Sequence, residues 1–355
     1  MATVPGILKP VGLDGRPIGP GHPPFLVAEL SGNHGGELAR ALALIDAAKA
    51  AGADAVKLQT YTADTLTLDH DGPGFLLEGG LWRGRTLHDL YREAHTPWDW
   101  HPALFAHARS LGLAVFSAPF DATAVDLLES LGAPAYKIAS FELVDLGLIR
   151  RAAATGKPLI LSTGLATLGE IDEAVAAARD GGADELILLH CVSGYPTPPE
   201  DANLATLPHL AAAFGVPAGL SDHTQGLAVP VAAVALGAAL VEKHLCLSRA
   251  DGGVDAAFSL EPGEFRAMAE ACRAAWKAVG RVNYGVKPSE AGGRSYRRSL
   301  YAVADIAAGE AFTMANVRSI RPGFGLAPKH LPAVLARRAA RAIKRGEPLC
   351  WEVTA

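Results

Sequence analysis

Residues 158–191, PLILSTGLATLGEIDEAVAAARDGGADELILLHC, contain one complete strand–helix–strand repeat. Two apolar runs, PLILSTG and ELILLHC, flank an Ala-rich segment, and Thr167 and Glu170 have the spacing of a capping box at the start of that segment. Apolar runs that end in polar residues and alternate with amphipathic helices are typical of βα units in a parallel sheet. We therefore expect this stretch to form one such unit.

The same alternation continues on both sides of this unit. The six other apolar runs are FLVAEL (25–30), AVKLQT (55–60), AVFSAP (114–119), AYKIAS (135–140), AGLSDH (218–223) and LVEKHL (240–245). Eight repeats within about 250 residues predict an α/β fold, a closed (β/α)8 TIM barrel, with its catalytic face at the carboxyl ends of the strands. The connection over 61–97 is long and rich in Gly, Asp and Trp, so we expect it to form a lid over that face.

A second domain is predicted at the carboxyl-terminal end of the chain. From Arg281 the helical period stops, and residues 281–295 are rich in Gly, Pro and Ser, as is typical of a linker. Short strand candidates and Gly or Pro turn signals follow over 296–355. The sequence therefore predicts a barrel domain over 1–280, a linker over 281–295, and a small β-rich domain over 296–355.

Composition narrows the class of protein. The 355-residue chain is 50% hydrophobic and 19% charged with a net charge of −5, which excludes a disordered chain and a protein whose overall charge attracts nucleic acid. From Arg294 onward there are eleven Lys and Arg against four Asp and Glu, a net charge of +7 that leaves −12 on the preceding residues. Four widely spaced cysteines without a C-x-x-C pair predict reduced thiols and a cytoplasmic location.

Two lysines within predicted barrel strands point to an anion. Lys57 and Lys137 would be desolvated inside the barrel, which is unfavourable unless a carboxylate or phosphate meets them. Ser162 lies at a strand end before a predicted helix, whose free N–H groups would favour a phosphate. We therefore predict an anion site at the rim of the barrel.

Two histidines at neighbouring strand ends suggest a metal site. His223 and His244 would come close together at the rim, and Glu242 shares a strand face with His244. Such a pair, completed by water and substrate, suits Mn²⁺, Mg²⁺ or Co²⁺ better than a structural zinc ion. The alternative is two histidines that are only hydrogen-bonded at the barrel mouth. The other histidines are assigned to loops or the surface: His22, His70, His88, His95, His101, His107, His209 and His330.

Long motifs distributed over the whole chain resemble the sialic acid synthase family. They are AELSGNHGG (28–36), AVKLQTY (55–61), SAPFD (117–121), YKIASFE (136–142), LSTGLAT (161–167), CVSGYPTPPED (191–201), GLSDHT (219–224), EKH (242–244) and RPGFGLAP (321–328). The resemblance implies a TIM barrel followed by a domain similar to type III antifreeze protein, the SAF domain. It also implies the condensation of phosphoenolpyruvate with an amino-sugar.

Within the family, residues 79–101 and 117–126 are similar to the pseudaminic branch, and Ser193 is common in that branch where N-acetylneuraminate synthases have Asn. This resemblance implies 2,4-diacetamido-2,4,6-trideoxy-L-altrose as the sugar, with an N-acetylneuraminate or legionaminic acid synthase as the alternative. The sequence departs from the family pattern at Ala118 and Leu165. Ala118 removes a possible hydroxyl contact in the sugar pocket.

The resemblance also implies roles for individual residues. Catalytic groups would be Glu29, Glu242, Lys57 and Lys137, and the metal, most simply Mn²⁺, would be held by His223 and His244. Phosphoenolpyruvate would be bound by Lys57, Lys137, Ser140, Ser162, Ser193 and Ser221. The sugar would contact Asn33, Gln59, Tyr195, Asp255 and Arg321. The matching arginine in the family comes from a neighbouring subunit, so we expect a domain-swapped homodimer.

Two other classes of function remain open from the residues alone. A barrel metallohydrolase or phosphosugar isomerase would use the two histidines and the anion site, but would not explain both strand lysines and the basic tail. A saccharide- or ice-binding module built on residues 290–355 would leave the polar rim of the barrel without a role.

Overall fold

The computed structural model describes residues 8–355, and eight of its strands close a parallel barrel in the order β10-β3-β4-β5-β6-β7-β8-β9. The predicted TIM barrel is thereby confirmed. The strands are β1 (Val11–Leu13), β2 (Arg16–Ile18), β3 (Phe25–Glu29), β4 (Ala55–Thr60), β5 (Ala114–Pro119), β6 (Tyr136–Ile138), β7 (Leu159–Ser162), β8 (Leu186–Cys191), β9 (Ala218–Asp222), β10 (Leu240–His244), β11 (Ser299–Ala302) and β12 (Val317–Ile320).

The described helices are α1 (Leu38–Ala50), α2 (Ala63–Leu66), α3 (Leu87–Ala94), α4 (His101–Ser110), α5 (Ala122–Ser130), α6 (Leu146–Ala153), α7 (Leu168–Asp180), α8 (Thr206–Phe214), α9 (Ala228–Ala235), α10 (Pro262–Val279) and α11 (Leu331–Leu335). Helices α1 and α4 to α10 cover the barrel strands from outside, whereas α2 and α3 lie in the segment after β4 and α11 lies beyond Gly280. The predicted capping box opens α7, because Thr167 Oγ1 accepts from the Glu170 N–H at 3.3 Å and the Thr167 N–H donates to Glu170 Oε2 at 2.7 Å.

Side chains alternate between the barrel interior and the helix layer, as the strand period requires. The outward residues form the large core between strands and helices, whereas Phe25, Val27 and their inward counterparts form a separate inner cluster. The β1–β2 hairpin, which the sequence analysis missed, packs Val11, Leu13 and Ile18 against this inner cluster. The hairpin therefore closes the amino-terminal end of the barrel.

The lid after β4 is more ordered than the long loop that was predicted. It contains the short helices α2 and α3, and between them residues 75–87 pair back on themselves, with the Leu77 N–H donating to Arg85 O at 2.9 Å and the Leu87 N–H to Phe75 O at 2.8 Å. We call residues 75–87 the lid hairpin. The lid thus has its own backbone hydrogen bonds.

The chain divides into two compact units, and the division falls after Gly280. The first seven residues of the predicted barrel domain lie outside the described range. In the smaller unit β11 and β12 form an antiparallel pair around a core that includes Leu300, Phe312 and Val317. The segment predicted as a linker contains a 3₁₀ turn over Pro288–Tyr296. Nowhere between residues 8 and 355 is a helix both long enough and apolar enough to cross a membrane.

Candidate active site

Four charged side chains meet inside the barrel. Glu29 and Lys57 are paired in the register of β3 and β4, and they form an ion pair. Glu242, on β10, lies on the other side, with its Oε1 atom 3.6 Å from Lys57 Nζ and 3.3 Å from Lys137 Nζ. Ser221 on β9 donates to the same Oε1 atom at 3.1 Å. Strands β10, β3, β4 and β6 thus place two carboxylates and two ammonium groups in one buried layer.

The two carboxylates differ electrostatically. Burial raises the pKa of Glu29, and the neighbouring Lys57 only partly opposes this shift. Burial acts in the same direction on Glu242, but the charges of Lys137 and Lys57 hold the pKa of that carboxyl below its usual value. Glu242 Oε2 is buried without a hydrogen-bond partner among the described residues. The site therefore contains one firmly ionised carboxylate with a free oxygen and one carboxyl that can exchange a proton.

Two serine hydroxyls, from Ser140 and Ser193, lie against Gly164, and a third serine, Ser162, precedes this glycine by two residues. The Gly164 N–H donates to Ser140 Oγ at 3.1 Å, and a Cβ atom at Gly164 would lie 2.7 Å from that oxygen and would also collide with Ser193 Oγ. Ser162 Oγ and Ser193 Oγ are buried, and no residue from 8 to 355 gives either of them a hydrogen-bond partner. The free hydroxyls and the lack of space for a Cβ atom make this a cradle for a small anion.

The predicted contribution of a helix amino terminus to this cradle is not supported. Helix α7 begins four residues after Gly164, at Leu168, and the Glu170 N–H in its first turn is capped by Thr167. Since Glu170 also brings a negative charge there, this helix end does not favour an anion. The lysines and serines form the cradle instead.

His223 and His244 face each other at the rim with ring centroids 5.3 Å apart. His223 Nδ1 is 3.0 Å from Val192 O and so donates to it, which leaves the lone pair on Nε2. Burial holds the pKa of His244 well below its usual value, and its Nδ1 atom has no partner within residues 8–355. Against the effect of burial, the side chain of Cys191 and the Val192 carbonyl raise the pKa of His223, so the two histidines differ in charge tendency, but each leaves one ring nitrogen available to a divalent cation. In the described part of the chain no three His, Cys, Asp or Glu side chains are grouped to hold a metal, so its other ligands would be water or substrate.

The residues predicted to contact the sugar lie at the rim, and they differ in how many of their polar atoms are already used in hydrogen bonds within the protein. Asn33 Nδ2 donates to Leu245 O and to Ser259 Oγ, both at 2.9 Å, so its free polar atom is Oδ1. Asp255 is hydrogen-bonded to Ser31 Oγ. Tyr195 packs its ring 4.5 Å from the ring of His223. Asn33 and Asp255 thus hold the rim loops together as well as facing the site.

Two other predicted sugar residues lie apart from this group. Gln59 is half-buried and lies two residues beyond Lys57, on the same inward face of β4. Arg321 is exposed in the smaller unit, directly after β12. Every predicted site residue except Arg321 therefore belongs to the barrel unit.

Glu142 is a site residue that the sequence analysis missed. It ends the 3₁₀ turn over Ser140–Glu142, its Oε2 atom is buried without a partner in the described chain, and it lies close enough to Lys137 and Lys57 for their charges to act on it. Burial raises the pKa of Glu142 to about 7. The YKIASFE motif contains this residue, but the strand period does not extend into the turn, so its direction could not be derived.

We expect Glu142 to make phosphoenolpyruvate binding pH-dependent. Below pH 7 the raised pKa keeps this carboxyl neutral, and above pH 7 its charge repels the anion, so KM for phosphoenolpyruvate should rise by roughly two- to tenfold. Glu142→Gln, which mimics the neutral form, should remove this rise. The substrate phosphate ionises in both assays, so the difference between the two pH profiles isolates Glu142. Coincident profiles would contradict the prediction.

A second buried ion pair lies behind the histidines, on the outward face of the same strands. Lys243 Nζ donates to Asp222 and to Thr224 O, and Asp222 Oδ1 accepts from the Thr224 N–H at 3.1 Å. Lys243 and Asp222 are opposite each other in the register of β10 and β9. Each is the direct neighbour of a histidine, so this pair ties the two strand ends together.

Lys243→Met is expected to destabilise the barrel by about 3–5 kcal/mol, because it leaves Asp222 buried with no counter-charge. Guanidinium unfolding followed by circular dichroism would measure the loss. The double variant Asp222→Asn and Lys243→Met removes both charges and should recover most of it. A Lys243→Met protein that unfolds at the wild-type guanidinium concentration would show that the pair contributes little.

Two histidines assigned to loops or the surface are buried. His101 begins α4, where Nε2 lies 2.9 Å from Thr60 Oγ1, and His88 on α3 lies with its Nε2 atom 3.0 Å from Asp64 Oδ1. The prediction was wrong because both face inward from helices whose positions the lid sequence did not reveal. His88 links the two helices of the lid, His101 links α4 to β4, and both lie outside the charged layer.

Comparison with known proteins places this site in a family. The profile of the NeuB family matches residues 44–284, and that of the SAF domain matches residues 297–352. The chain belongs to the NeuB family. The resemblance to sialic acid synthases is thereby confirmed.

Members of the NeuB family resemble this chain over almost its full length. The pseudaminic acid synthase of Helicobacter pylori is 44% identical over 92% of this chain and 96% of its own length. The pseudaminic acid synthase of Campylobacter jejuni is 45% identical over 92% of this chain and 95% of its own length. The crystal structure of N-acetylneuraminic acid synthetase from Leptospira borgpetersenii superposes with a TM-score of 0.73 at 32% identity, covering 81% of this chain and 96% of that one.

Proposed function

We propose that this NeuB-family protein condenses phosphoenolpyruvate with open-chain 2,4-diacetamido-2,4,6-trideoxy-L-altrose and water to give pseudaminic acid and phosphate. The observation that carries the proposal is the cradle of free serine hydroxyls beside two buried lysines, which suits a small phosphorylated carboxylate. The choice of sugar is supported by 44% and 45% identity to two pseudaminic acid synthases, against 32% to the N-acetylneuraminic acid synthetase.

The buried layer would hold phosphoenolpyruvate and fix the position of its C3 atom. Lys57 and Lys137 supply positive charge for the phosphate and carboxylate, and hydroxyl donors come from Ser140, Ser162, Ser193 and Ser221. Fixing both anionic groups points C3 towards the sugar aldehyde and converts an encounter of two molecules into a reaction within one complex. A new bond then forms between C3 and the aldehyde carbon, and the aldehyde oxygen takes up a proton.

The positive charge that develops at C2 of phosphoenolpyruvate is quenched by water. Glu242 is the better-placed carboxylate to orient this water, because it is ionised and its Oε2 atom is free, whereas Glu29 is paired with Lys57. Water adds to C2 and gives up a proton, for which Glu29 is a suitable acceptor because its pKa is raised. The bond between C2 and the bridging phosphate oxygen then breaks, the C2 hydroxyl gives its proton to the leaving phosphate, and the C2 carbonyl forms.

His223 and His244 would hold a divalent metal ion, most simply Mn²⁺, since they face each other at the rim and each leaves one ring nitrogen available. When bound, such an ion supplies Lewis acidity to the sugar aldehyde oxygen. Tyr195, Asp255 and Asn33 would then face the rest of the sugar chain from the rim. The acetamido and methyl groups would lie towards the aromatic side of the site.

Phosphate release from phosphoenolpyruvate, measured with one hexose at a time, tests this function. We expect release with 2,4-diacetamido-2,4,6-trideoxy-L-altrose and much less with N-acetylmannosamine or with the manno isomer of the diacetamido sugar. Mass spectrometry of the nine-carbon product identifies the new bond. Release with none of these sugars would overturn the proposal, and preference for N-acetylmannosamine would assign the protein to sialic acid synthesis.

Lys137→Met is expected to weaken phosphoenolpyruvate binding by about 2–4 kcal/mol, a rise in KM of roughly 30- to 1000-fold, because it removes a charge-assisted contact in a buried site. The sugar KM should change much less. Lys157→Met is the matched control, since Lys157 pairs with Glu129 and is partly exposed. Steady-state kinetics showing a raised sugar KM and an unchanged phosphoenolpyruvate KM would mean that the two pockets have been exchanged.

We also propose that the active form is a homodimer in which the small domain of one subunit supplies Arg321 to the barrel of the other. Apolar side chains flank the cradle, with Phe141 59% and Leu165 74% exposed, and Phe324 beside Arg321 is 71% exposed. A second copy of the chain would bury these groups. The opposite charges of the tail and the body, +7 and −12, favour the same pairing.

A further inference from the structure

The tip of the lid hairpin is fastened to a distant loop by one side chain. Trp82 lies near this tip, and its Nε1 atom donates to Val254 O at 2.9 Å, across 172 residues of sequence. Val254 belongs to the loop between β10 and α10, residues 245–261. We call this segment the β10 loop. The hydrogen bond therefore connects two loops that border the same side of the site.

The same junction is packed as well as hydrogen-bonded. Leu90, Ala94 and Val254 form a small apolar cluster, against which Leu77 and Trp82 pack. On the other side of this cluster lies Gly32, in the segment after β3, where a Cβ atom would come within 3.0 Å of the backbone of Ala94 and would collide with Val254. The lid, the β10 loop and the segment after β3 thus meet with no space for one additional carbon.

Residues at this junction adjoin the sugar side of the site. Asp255 follows Val254 directly and is hydrogen-bonded to Ser31. The ring of Trp82 lies 6.0 Å from that of Tyr195, which in turn lies 5.1 Å from that of Phe258. The lysines that would bind phosphoenolpyruvate are instead held on barrel strands, whose positions depend on the backbone ladder and not on the lid.

We propose that Trp82 is a positioning residue for the sugar: its hydrogen bond to Val254 and its packing on Tyr195 hold the lid against the β10 loop, and this closure completes the sugar pocket without affecting the phosphoenolpyruvate pocket. The inference rests on the proposed function for the identity of the two substrates. The latch itself, the contact between the lid hairpin and the β10 loop, rests on the geometry alone.

Three variants test the latch. Trp82→Phe keeps an aromatic ring but removes the hydrogen bond, and should raise the sugar KM roughly five- to tenfold while the phosphoenolpyruvate KM stays within about twofold. Gly32→Ala opens the same junction from the opposite side and should give the same pattern, and the double variant should show less than the product of the two effects. Trp98→Phe is the matched control, because Trp98 Nε1 donates to Tyr61 O at 3.2 Å at the other end of the lid.

Hydrogen–deuterium exchange provides a readout that needs no substrate. In Trp82→Phe, amides of residues 75–95 and 249–258 should exchange faster than in the wild type, while the barrel strands should be unchanged. Equal rises in both KM values, or unchanged exchange in these two segments, would overturn the latch. Failure of phosphate release with every hexose would instead overturn the proposed function. In that case the hydrogen–deuterium exchange result would still show whether Trp82 holds the lid against the β10 loop.

Discussion

His223→Ala and His244→Ala are each expected to abolish Mn²⁺ binding and to lower the rate of phosphate release by about a thousandfold or more, with the barrel still folded. Each variant removes one of two proposed protein ligands, and the Lewis acidity that the metal supplies is equivalent to several kcal/mol of transition-state stabilisation. Both side chains lie at the rim, above the inner apolar cluster, so their loss should cost little stability. Isothermal titration with Mn²⁺ measures the affinity, and circular dichroism measures the fold.

His209→Ala is the matched control for this experiment, because His209 is exposed on α8. Its Mn²⁺ affinity and activity should equal those of the wild type. Unchanged Mn²⁺ affinity in both His223→Ala and His244→Ala would contradict the metal assignment. In that case the two imidazoles would be acting as hydrogen-bonding groups at the barrel mouth.

Mixing two inactive proteins is expected to restore activity if the proposed domain-swapped dimer is correct. His244→Ala damages a barrel and Arg321→Ala damages a small domain, so each homodimer should be nearly inactive. In a mixed dimer one site carries both lesions and the other carries neither. With equal amounts and random exchange about half of the dimers are mixed, so about a quarter of wild-type activity is the upper limit.

Subunit exchange must be demonstrated by native mass spectrometry for the mixing experiment to be informative. Arg318→Ala is a suitable control, because Arg318 is an exposed arginine on β12, close to Arg321 in the sequence. The Arg318→Ala homodimer should retain its activity without mixing. A fully exchanged mixture that is no more active than its parents would show that a small domain serves the barrel of its own chain, or none.

The barrel could be predicted from sequence because each strand is a buried apolar run whose period is fixed by the backbone. That period also orders side chains within a strand: Glu242 and His244 face inward, whereas Lys243 between them faces the helices. Neighbouring strands are in a register that sets Glu29 beside both Lys57 and His244. The residues at the strand ends were therefore the part of the site that could be predicted from sequence.

The rest of the site depends on contacts that no local pattern encodes. Glu142 points into the site from a turn, where neither the strand nor the helix period applies. Trp82 reaches Val254 from a hairpin that packs on the apolar cluster of Leu90, Ala94 and Val254. The buried positions of His88 on α3 and His101 on α4 likewise follow from how these two helices pack. The site residues that could not be predicted from sequence are therefore those whose positions depend on loop conformation and not on strand order.

The β1–β2 hairpin has a kinetic consequence. Because the hairpin closes the amino-terminal end of the barrel, the interior is open only at the carboxyl ends of the strands. The groups proposed for phosphoenolpyruvate lie deeper in the barrel than those proposed for the sugar. A sugar bound at the open end of the barrel then blocks the entry of phosphoenolpyruvate to the deeper part of the site. If the proposed sites are correct, we expect a compulsory order in which phosphoenolpyruvate enters first and phosphate leaves last, so that phosphate competes directly with phosphoenolpyruvate for the empty protein.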